Sequence, residues 1–284
     1  MKTPQERPPS NSVDPFTTNP RPRLMGIVNV TPDSFYDGGQ HYHTDRAVEH
    51  ARTLAREGAD VIDIGGESTR PGAQPVSDEE ELNRVLPVVE KLTQDGWGCP
   101  ISVDTRNSSV ARAALEAGAD WINDVSGLRG DPELAEVVAE YDARVVIMHM
   151  QGTPDSMQDN PEYDHVLRDI RDFFQEQIKF ANSRGISDEQ IILDPGIGFG
   201  KTVEHNRQIL SNVSDFKSLG YPVLIGHSRK SYHEAALGLP PEQSLHATLA
   251  VSTYLSLQQV DYLRIHDVRP HHDLREALNW LKGA

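Results

Sequence analysis

The chain has 284 residues, with 27 Lys+Arg against 43 Asp+Glu and a formal net charge of −16. That length allows one large domain or two small ones, and the acidity disfavours duplex DNA and anionic membranes, whose phosphates are bound mainly through Lys and Arg. Its single cysteine, Cys99, excludes an intrachain disulfide and a cysteine-based zinc site; with no apolar run near the roughly 20 residues that span a bilayer, it points to a soluble cytoplasmic protein.

Residues 1–22 carry six prolines among Ser, Asn and Thr and show neither period 2 nor period 3.6, which predicts a disordered tail outside the fold. From Leu24 onward, short β-branched runs alternate with longer amphipathic stretches. Strands are predicted at 24–30, 60–64, 100–103, 120–124, 144–149, 191–194, 222–226 and 261–265. Helices are predicted at 45–57, 78–95, 107–117, 132–141, 162–184, 203–213, 242–258 and 269–282. Acid in the first turn opens the second helix at Ser77-Asp78-Glu79-Glu80, and Gly58 and Gly118 stand where left-handed C-caps belong. Eight βα units in about 260 residues fit a closed parallel α/β barrel, a (β/α)8 TIM barrel spanning 23–284 as one domain, better than an open sheet.

In such a barrel the chemistry gathers at the C-terminal ends of the strands, and polar residues do collect there. Strand one ends in Asn29, strand two carries Asp63, and strand three ends in Asp104. Strands four to six end in Asn123-Asp124, Met148-His149 and Asp194-Pro195-Gly196, and strand seven runs into Gly226-His227-Ser228-Arg229-Lys230-Ser231. Strand eight contains Arg264 and leads to His266-Asp267. Carboxylates and amides from the middle strands suit a heterocycle rich in N–H donors, while cations after strands seven and eight suit a phosphate ester. The run Gly196-Ile197-Gly198-Phe199-Gly200-Lys201 lacks the spacing of a Walker A loop or a dinucleotide fingerprint. His41, His43, His50, His271 and His272 lie outside the strand ends, where solvated or capping roles are the default, and His149 and His205 suit a core or capping role as well as a site role. Ser228 has no assigned His or Asp partner and is read as a hydrogen-bonding residue rather than a nucleophile.

Taken together, the segments Met25-Gly26-Ile27-Val28-Asn29-Val30-Thr31-Pro32-Asp33-Ser34-Phe35, Asp63-Ile64-Gly65-Gly66-Glu67-Ser68-Thr69-Arg70-Pro71-Gly72, Ser102-Val103-Asp104-Thr105 and Ile122-Asn123-Asp124-Val125-Ser126-Gly127 carry a resemblance. It continues through Met148-His149-Met150-Gln151-Gly152-Thr153-Pro154, Asp194 to Lys201, Ser228-Arg229-Lys230-Ser231 and Arg264-Ile265-His266-Asp267. In this order, from Met25 to about Asp267, they resemble the dihydropteroate synthase family. The resemblance implies a (β/α)8 barrel that condenses p-aminobenzoate with a dihydropterin pyrophosphate in folate synthesis, with Mg²⁺ as cofactor and a homodimer through 242–258 and 269–282. It implies that Asp63, Asp104, Asn123, Met148, Asp194, Lys230 and Arg264 hold the pterin. Thr69, Arg70, Phe199, Ser228 and Lys230 would line the p-aminobenzoate side. Asn29, Thr69, Arg264 and His266 would meet the pyrophosphate, Asn29 linking to Mg²⁺; Asp104, Lys230, Arg264 and Asn29 would carry the chemistry. Loops 31–39 and 66–76 would close over the site.

The chain departs from the family pattern at Ser231-Tyr232-His233-Glu234, where a small-residue turn is usual, and at His246-Ala247-Thr248-Leu249-Ala250, which loses a glycine. Glu234 and His246 are expected to be a compensating pair, and His227 to adjoin the acceptor pocket. Two alternatives to the synthase are a pterin-binding module like that of the corrinoid methyltransferases, which has no use for Ser68-Thr69-Arg70-Pro71-Gly72 or Ser228-Arg229-Lys230, and a non-catalytic paralogue.

Overall fold

The computed structural model describes residues 22–31, 40–68, 76–94, 96–152, 157–158 and 160–282, the side chains of 40–42 and 282 excepted. The predicted tail lies outside the described residues, apart from Pro22, as do Thr69, Arg70 and most of both expected closing loops.

Among the described residues, eight strands and ten α-helices run from β1 (Arg23–Asn29) to α10 (Val268–Lys282), each strand followed by one or two helices. The strands are β2 (Val61–Gly65), β3 (Ile101–Asp104), β4 (Trp121–Asp124), β5 (Arg144–Met148), β6 (Ile191–Asp194), β7 (Leu224–Gly226) and β8 (Tyr262–Ile265). All pair in parallel in the order β6-β5-β4-β3-β2-β1-β8-β7, and a parallel bridge between Leu193 and Val223 joins β6 to β7 and closes the barrel. The helices α1 (Gln40–Arg56), α2 (Asp78–Gln94), α3 (Ser108–Glu116), α4 (Leu134–Glu140), α5 (Val166–Ser183), α6 (Val203–Ser211) and α7 (Val213–Lys217) lie between the strands up to β7. After β7 come α8 (Tyr232–Leu237) and α9 (Leu245–Leu257).

The side-chain period of 2 along each strand sorts residues between two cores. Odd positions of β5 and the outward positions of its neighbours, including Val145, Ile147, Ile191 and Leu193, join the large apolar layer beneath the helices. The inward set at the lower end is Met25, Val61, Trp121, Val146, Ile192, Leu224 and Tyr262, a packed plug. Two residues further along four of these strands the inward positions turn polar: Asp63, Asn123, Asp194 and Arg264 follow Val61, Trp121, Ile192 and Tyr262. One alternation therefore builds both the plug and the polar floor above it.

The predicted helix 203–213 is two helices, divided at Asn212, which sits at φ −133°, ψ 44°. Helix 242–258 begins as a 3-10 turn at Pro241–Gln243 before α9. The six-residue α8 was not foreseen; Gly238, in the left-handed region at φ 68°, ends it. Gly58 and Gly118 have φ of 104° and 107°, as their C-cap placement requires.

Candidate active site

The polar floor is organised by one arginine. Arg264 extends from β8 across the mouth and donates from Nε to Asp63 Oδ2 at 2.6 Å and from a terminal nitrogen to Asp104 Oδ2 at 2.6 Å. Asn123 Nδ2 donates to the same Asp63 oxygen at 3.1 Å. The strand register makes this contact: Asp104 sits opposite Asn123 on β4, and Met25 on β1 opposite Arg264. Burial opposes a charge on Arg264, but the carboxylates of Asp63 and Asp104 outweigh it and raise its pKa. Burial pushes Asp104 up to about 7 against the pull of Arg264.

Asp63 is fully buried, and its second oxygen has no hydrogen-bond partner among the described residues. A buried acceptor left unmet costs about 1–3 kcal/mol, so this oxygen is suited to an N–H of a bound molecule. Asp194 ends β6, opposite Met148. Its Oδ1 accepts the Gly196 N–H at 2.8 Å. Burial lifts its pKa to about 6, while that bond and the charges of Lys230 and Arg264 pull the other way. The floor thus presents acidic acceptors whose charge is only partly balanced by Arg264.

One wall is apolar. Val125, Met148, Met150, Met157 and Phe199 form a cluster at the mouth, and Lys230 Nζ lies 4.0 Å from the centre of the Phe199 ring, a cation–π contact. On the opposite side Ser228 Oγ is 3.1 Å from His266 Nδ1 and accepts from the His266 N–H at 3.4 Å. Arg229, at the left-handed φ of 55°, turns away from the mouth to pair with Asp267 at 2.7 Å. Asn29 stands at the end of β1 opposite Gly65.

The structure brings together Asp63, Asp104, Asn123, Asp194 and Arg264, and separately Met148, Phe199 and Lys230, and Ser228 with His266. Thr69 and Arg70 lie outside the described residues. Four sequence-based expectations change. Asp124 turns outward to accept the Ser126 and Leu128 N–H groups at 2.7 and 2.6 Å, shaping the loop after β4. His227 does not face the acceptor pocket: it is fully buried, with Nε2 2.8 Å from Ser252 Oγ on α9. His271, expected in a solvated or capping role, is buried as well and lies 2.9 Å from the same hydroxyl. Glu234 and His246 are both exposed, and α8 meets α9 instead through His233 and Thr248, 3.4 Å apart. His205 does cap: with Thr202 it forms a reciprocal capping box at the start of α6.

Sequence reasoning missed Lys201, which is 3 % exposed. Nζ donates to the Phe199 and His149 carbonyls at 2.9 and 3.2 Å and lies 3.1 Å from His149 Nδ1. A lysine closing a glycine-rich loop looks solvated in sequence, and the carbonyls that draw it inward are visible only in the fold.

A closed parallel barrel with a donor-accepting floor, a cationic rim and an apolar wall is a site for a flat, N–H-rich ring bearing a phosphate ester. The chain belongs to the pterin binding enzyme family, whose model matches residues 25–266. Within that class it is similar to dihydropteroate synthases. The dihydropteroate synthase of Clostridium beijerinckii is 44% identical over 254 residues, covering 89% of this chain and 91% of the relative. A Xanthomonas albilineans dihydropteroate synthase structure with 4-aminobenzoic acid superposes with a TM-score of 0.87 at 44% identity, covering 93% of this chain and 94% of that one. The same organism's enzyme in complex with 7,8-dihydropteroate gives 0.84 at 41% identity, over 93% and 95% of the two chains.

Proposed function

We propose that the protein is an enzyme catalysing the dihydropteroate synthase reaction: transfer of the pterinylmethyl group of 6-hydroxymethyl-7,8-dihydropterin pyrophosphate to p-aminobenzoate, giving 7,8-dihydropteroate and pyrophosphate for folate biosynthesis. The observation that carries it is the largely buried Asp63–Arg264–Asp104 bridge with Asn123 and Asp194 beside it, on a chain whose residues 25–266 match the pterin binding enzyme family. The 2-amino group and ring N–H groups of the pterin are donors, and the free oxygen of Asp63, with Asp194, supplies acceptors. Met148 packs on the ring, and the Arg264 guanidinium lies along it. A methyltransferase-type module would keep the floor, but has no use for Ser228 and Lys230 at the rim.

The bond from the pterin methylene to the pyrophosphate oxygen breaks first. Arg264, Lys230 and His266, with Thr69, meet the charge that develops on the leaving group, while acidic groups of the floor hold the cationic character left on the methylene. The amine of p-aminobenzoate, seated by Phe199, Lys230, Ser228, Thr69 and Arg70, forms the new C–N bond and then loses a proton to solvent. An arylamine is already nucleophilic when neutral, so no side chain is needed as its base.

Mg²⁺ is part of this reading. Among the described residues no group of three or more His, Cys, Asp or Glu forms a cage, whereas the Asn29 amide oxygen at the strand end fits an ion that keeps waters and phosphate oxygens as its other ligands. Asn29 would hold it, and the bound ion would supply charge neutralisation on the pyrophosphate.

A homodimer through α9 and α10 completes the proposal. Apart from His246, α9 has no ionisable side chain except the Tyr254 phenol, and Tyr254, Leu257, Trp280 and Leu281 are exposed; large apolar side chains left in solvent mark an interaction surface. Trp280→Glu with Leu257→Glu is expected to halve the mass seen by sedimentation, and a wild-type monomer would contradict the dimer. No helix among the described residues is long and apolar enough to cross a membrane. We place the protein in the cytoplasm, where Cys99, its thiol pushed up to about 12 by burial, stays reduced.

The test of function is mass-spectrometric detection of dihydropteroate from the two substrates with Mg²⁺. Pyrophosphate release that requires p-aminobenzoate supports the synthase; pterin binding with no condensation overturns it in favour of a binding protein.

A further inference from the structure

The loop between β6 and α6 packs backbone against backbone on the end of β5. Gly196, Gly198 and Gly200 all have positive φ. A Cβ on Gly196 would meet the His149 carbonyl oxygen at 2.0 Å, and one on Gly200 would meet that of Gln151 at 2.6 Å. So close an approach buries carbonyl groups away from solvent, and buried carbonyls need donors. Tyr163 Oη donates to the Gly200 carbonyl at 2.8 Å, and Gln158 Nε2 to that of Gly198 at 2.6 Å. The carbonyls of His149 and Phe199 are both served by Lys201, whose Nζ sits between them. Phe199, whose carbonyl is held this way, is the residue whose ring meets Lys230.

We propose that Lys201 is a positioning residue for the arylamine pocket: its Nζ ties the Phe199 carbonyl to the end of β5 and so sets where the Phe199 ring stands. The inference rests on the synthase reading, which assigns Phe199 to the p-aminobenzoate side. Lys201 touches no substrate in this account and acts through Phe199. The His149 imidazole completes the tie. A charged Lys201 donates to Nδ1, and a neutral amine can instead accept from Nδ1–H, so the contact survives either protonation state through the tautomer of His149. Burial, which lowers Lys201 to about 7 with Asp194 opposing, makes both states relevant near neutrality.

The test compares Lys201→Met with wild type in steady-state assays, with each substrate varied in turn and thermal unfolding followed alongside. Removal of the donors is expected to raise KM for p-aminobenzoate about ten- to a hundredfold, with pterin pyrophosphate affinity within about twofold. In a Phe199→Ala background the same substitution is expected to add little to that KM, because the residue it positions is gone. A structural role alone would lower unfolding temperature and active fraction without separating the two KM values, and that result overturns the proposal. So does a full additional effect in the Phe199→Ala background. Lys201→Gln, which keeps two donors without charge, carries the same comparison if Lys201→Met does not fold; it is expected to fall between Met and wild type. Failure of the wild-type protein itself to form dihydropteroate would refute the synthase reading instead.

Discussion

Replacing Arg264 by Met removes the one cation that Asp63 and Asp104 share while leaving the stem of the side chain. Two hydrogen-bonded ion pairs are lost at 2.6 Å each, and breaking a buried pair from one side costs about 3–5 kcal/mol, because a carboxylate is left without its partner. The loss should depend on pH with a definite sign. Asp104 is raised to about 7 in the folded protein, so below that value it carries its proton and needs Arg264 less. In the variant, with the opposing pull of Arg264 gone, Asp104 moves higher still and holds its proton above pH 7, where wild type has released it. Folded variant and wild type therefore differ least in acid. The variant's deficit grows by about 1.4 kcal/mol per pH unit above 7 until Asp104 ionises there too. Urea unfolding at pH 6 and pH 8.5, extrapolated linearly to water, measures it. A deficit below about 1 kcal/mol, or the same deficit at both pH values, would refute the bridge as the element organising the floor.

Asp194, raised to about 6 by burial, accepts best from a pterin N–H when ionised, so pterin pyrophosphate affinity is expected to rise about fivefold from pH 5 to 6 and to level off above 7; calorimetric titration with Asp194→Asn should lose both affinity and slope. His227 is lowered to about 3 by burial, with His271 adding to it. Being neutral when folded, it contributes stability in full above pH 6.5 and loses it as pH falls from there toward 3. His227→Gln should therefore cut the acid dependence of unfolding free energy by about 1.4 kcal/mol per pH unit between pH 6 and 4, and an unchanged slope would place the histidine in solvent. Gly196→Ala sets a Cβ 2.0 Å from a carbonyl oxygen, whereas at Gly220, also at positive φ, nothing lies within 4 Å. The first should destabilise by several times the ~1 kcal/mol expected of Gly220→Ala; equal losses would show that the loop does not press on β5.

The fold was legible because each strand announces itself twice, as a β-branched run and as the polar residues that end it. β6 at Ile191–Asp194 falls where the sequence places it, and most other strands lie within a residue. β7 is shorter, Leu224–Gly226 against a predicted 222–226, because Pro222 cannot donate to a ladder. α8 was not legible: six residues make less than two turns, too few for a period to register. In the site, polar residues could be read at the strand ends, and the resemblance to the family named Asp63, Asp104, Asn123, Asp194 and Arg264 among those that hold the pterin. Their mutual bonding could not be read, since Asp63 and Arg264 are 201 positions apart. The same holds for Lys201, and for His227 and His271, which pack on one buried hydroxyl from elements far apart in the chain.

A structure of this protein with 7,8-dihydropteroate bound would test the site most directly. The pterin ring is expected on the floor of Asp63, Asp104, Asn123 and Asp194 with Arg264 along it, an N–H within hydrogen-bond distance of the second Asp63 oxygen, and the aminobenzoyl ring against Phe199 and Lys230. Product held elsewhere on the barrel, or a pterin making no bond to these carboxylates, would contradict this placement.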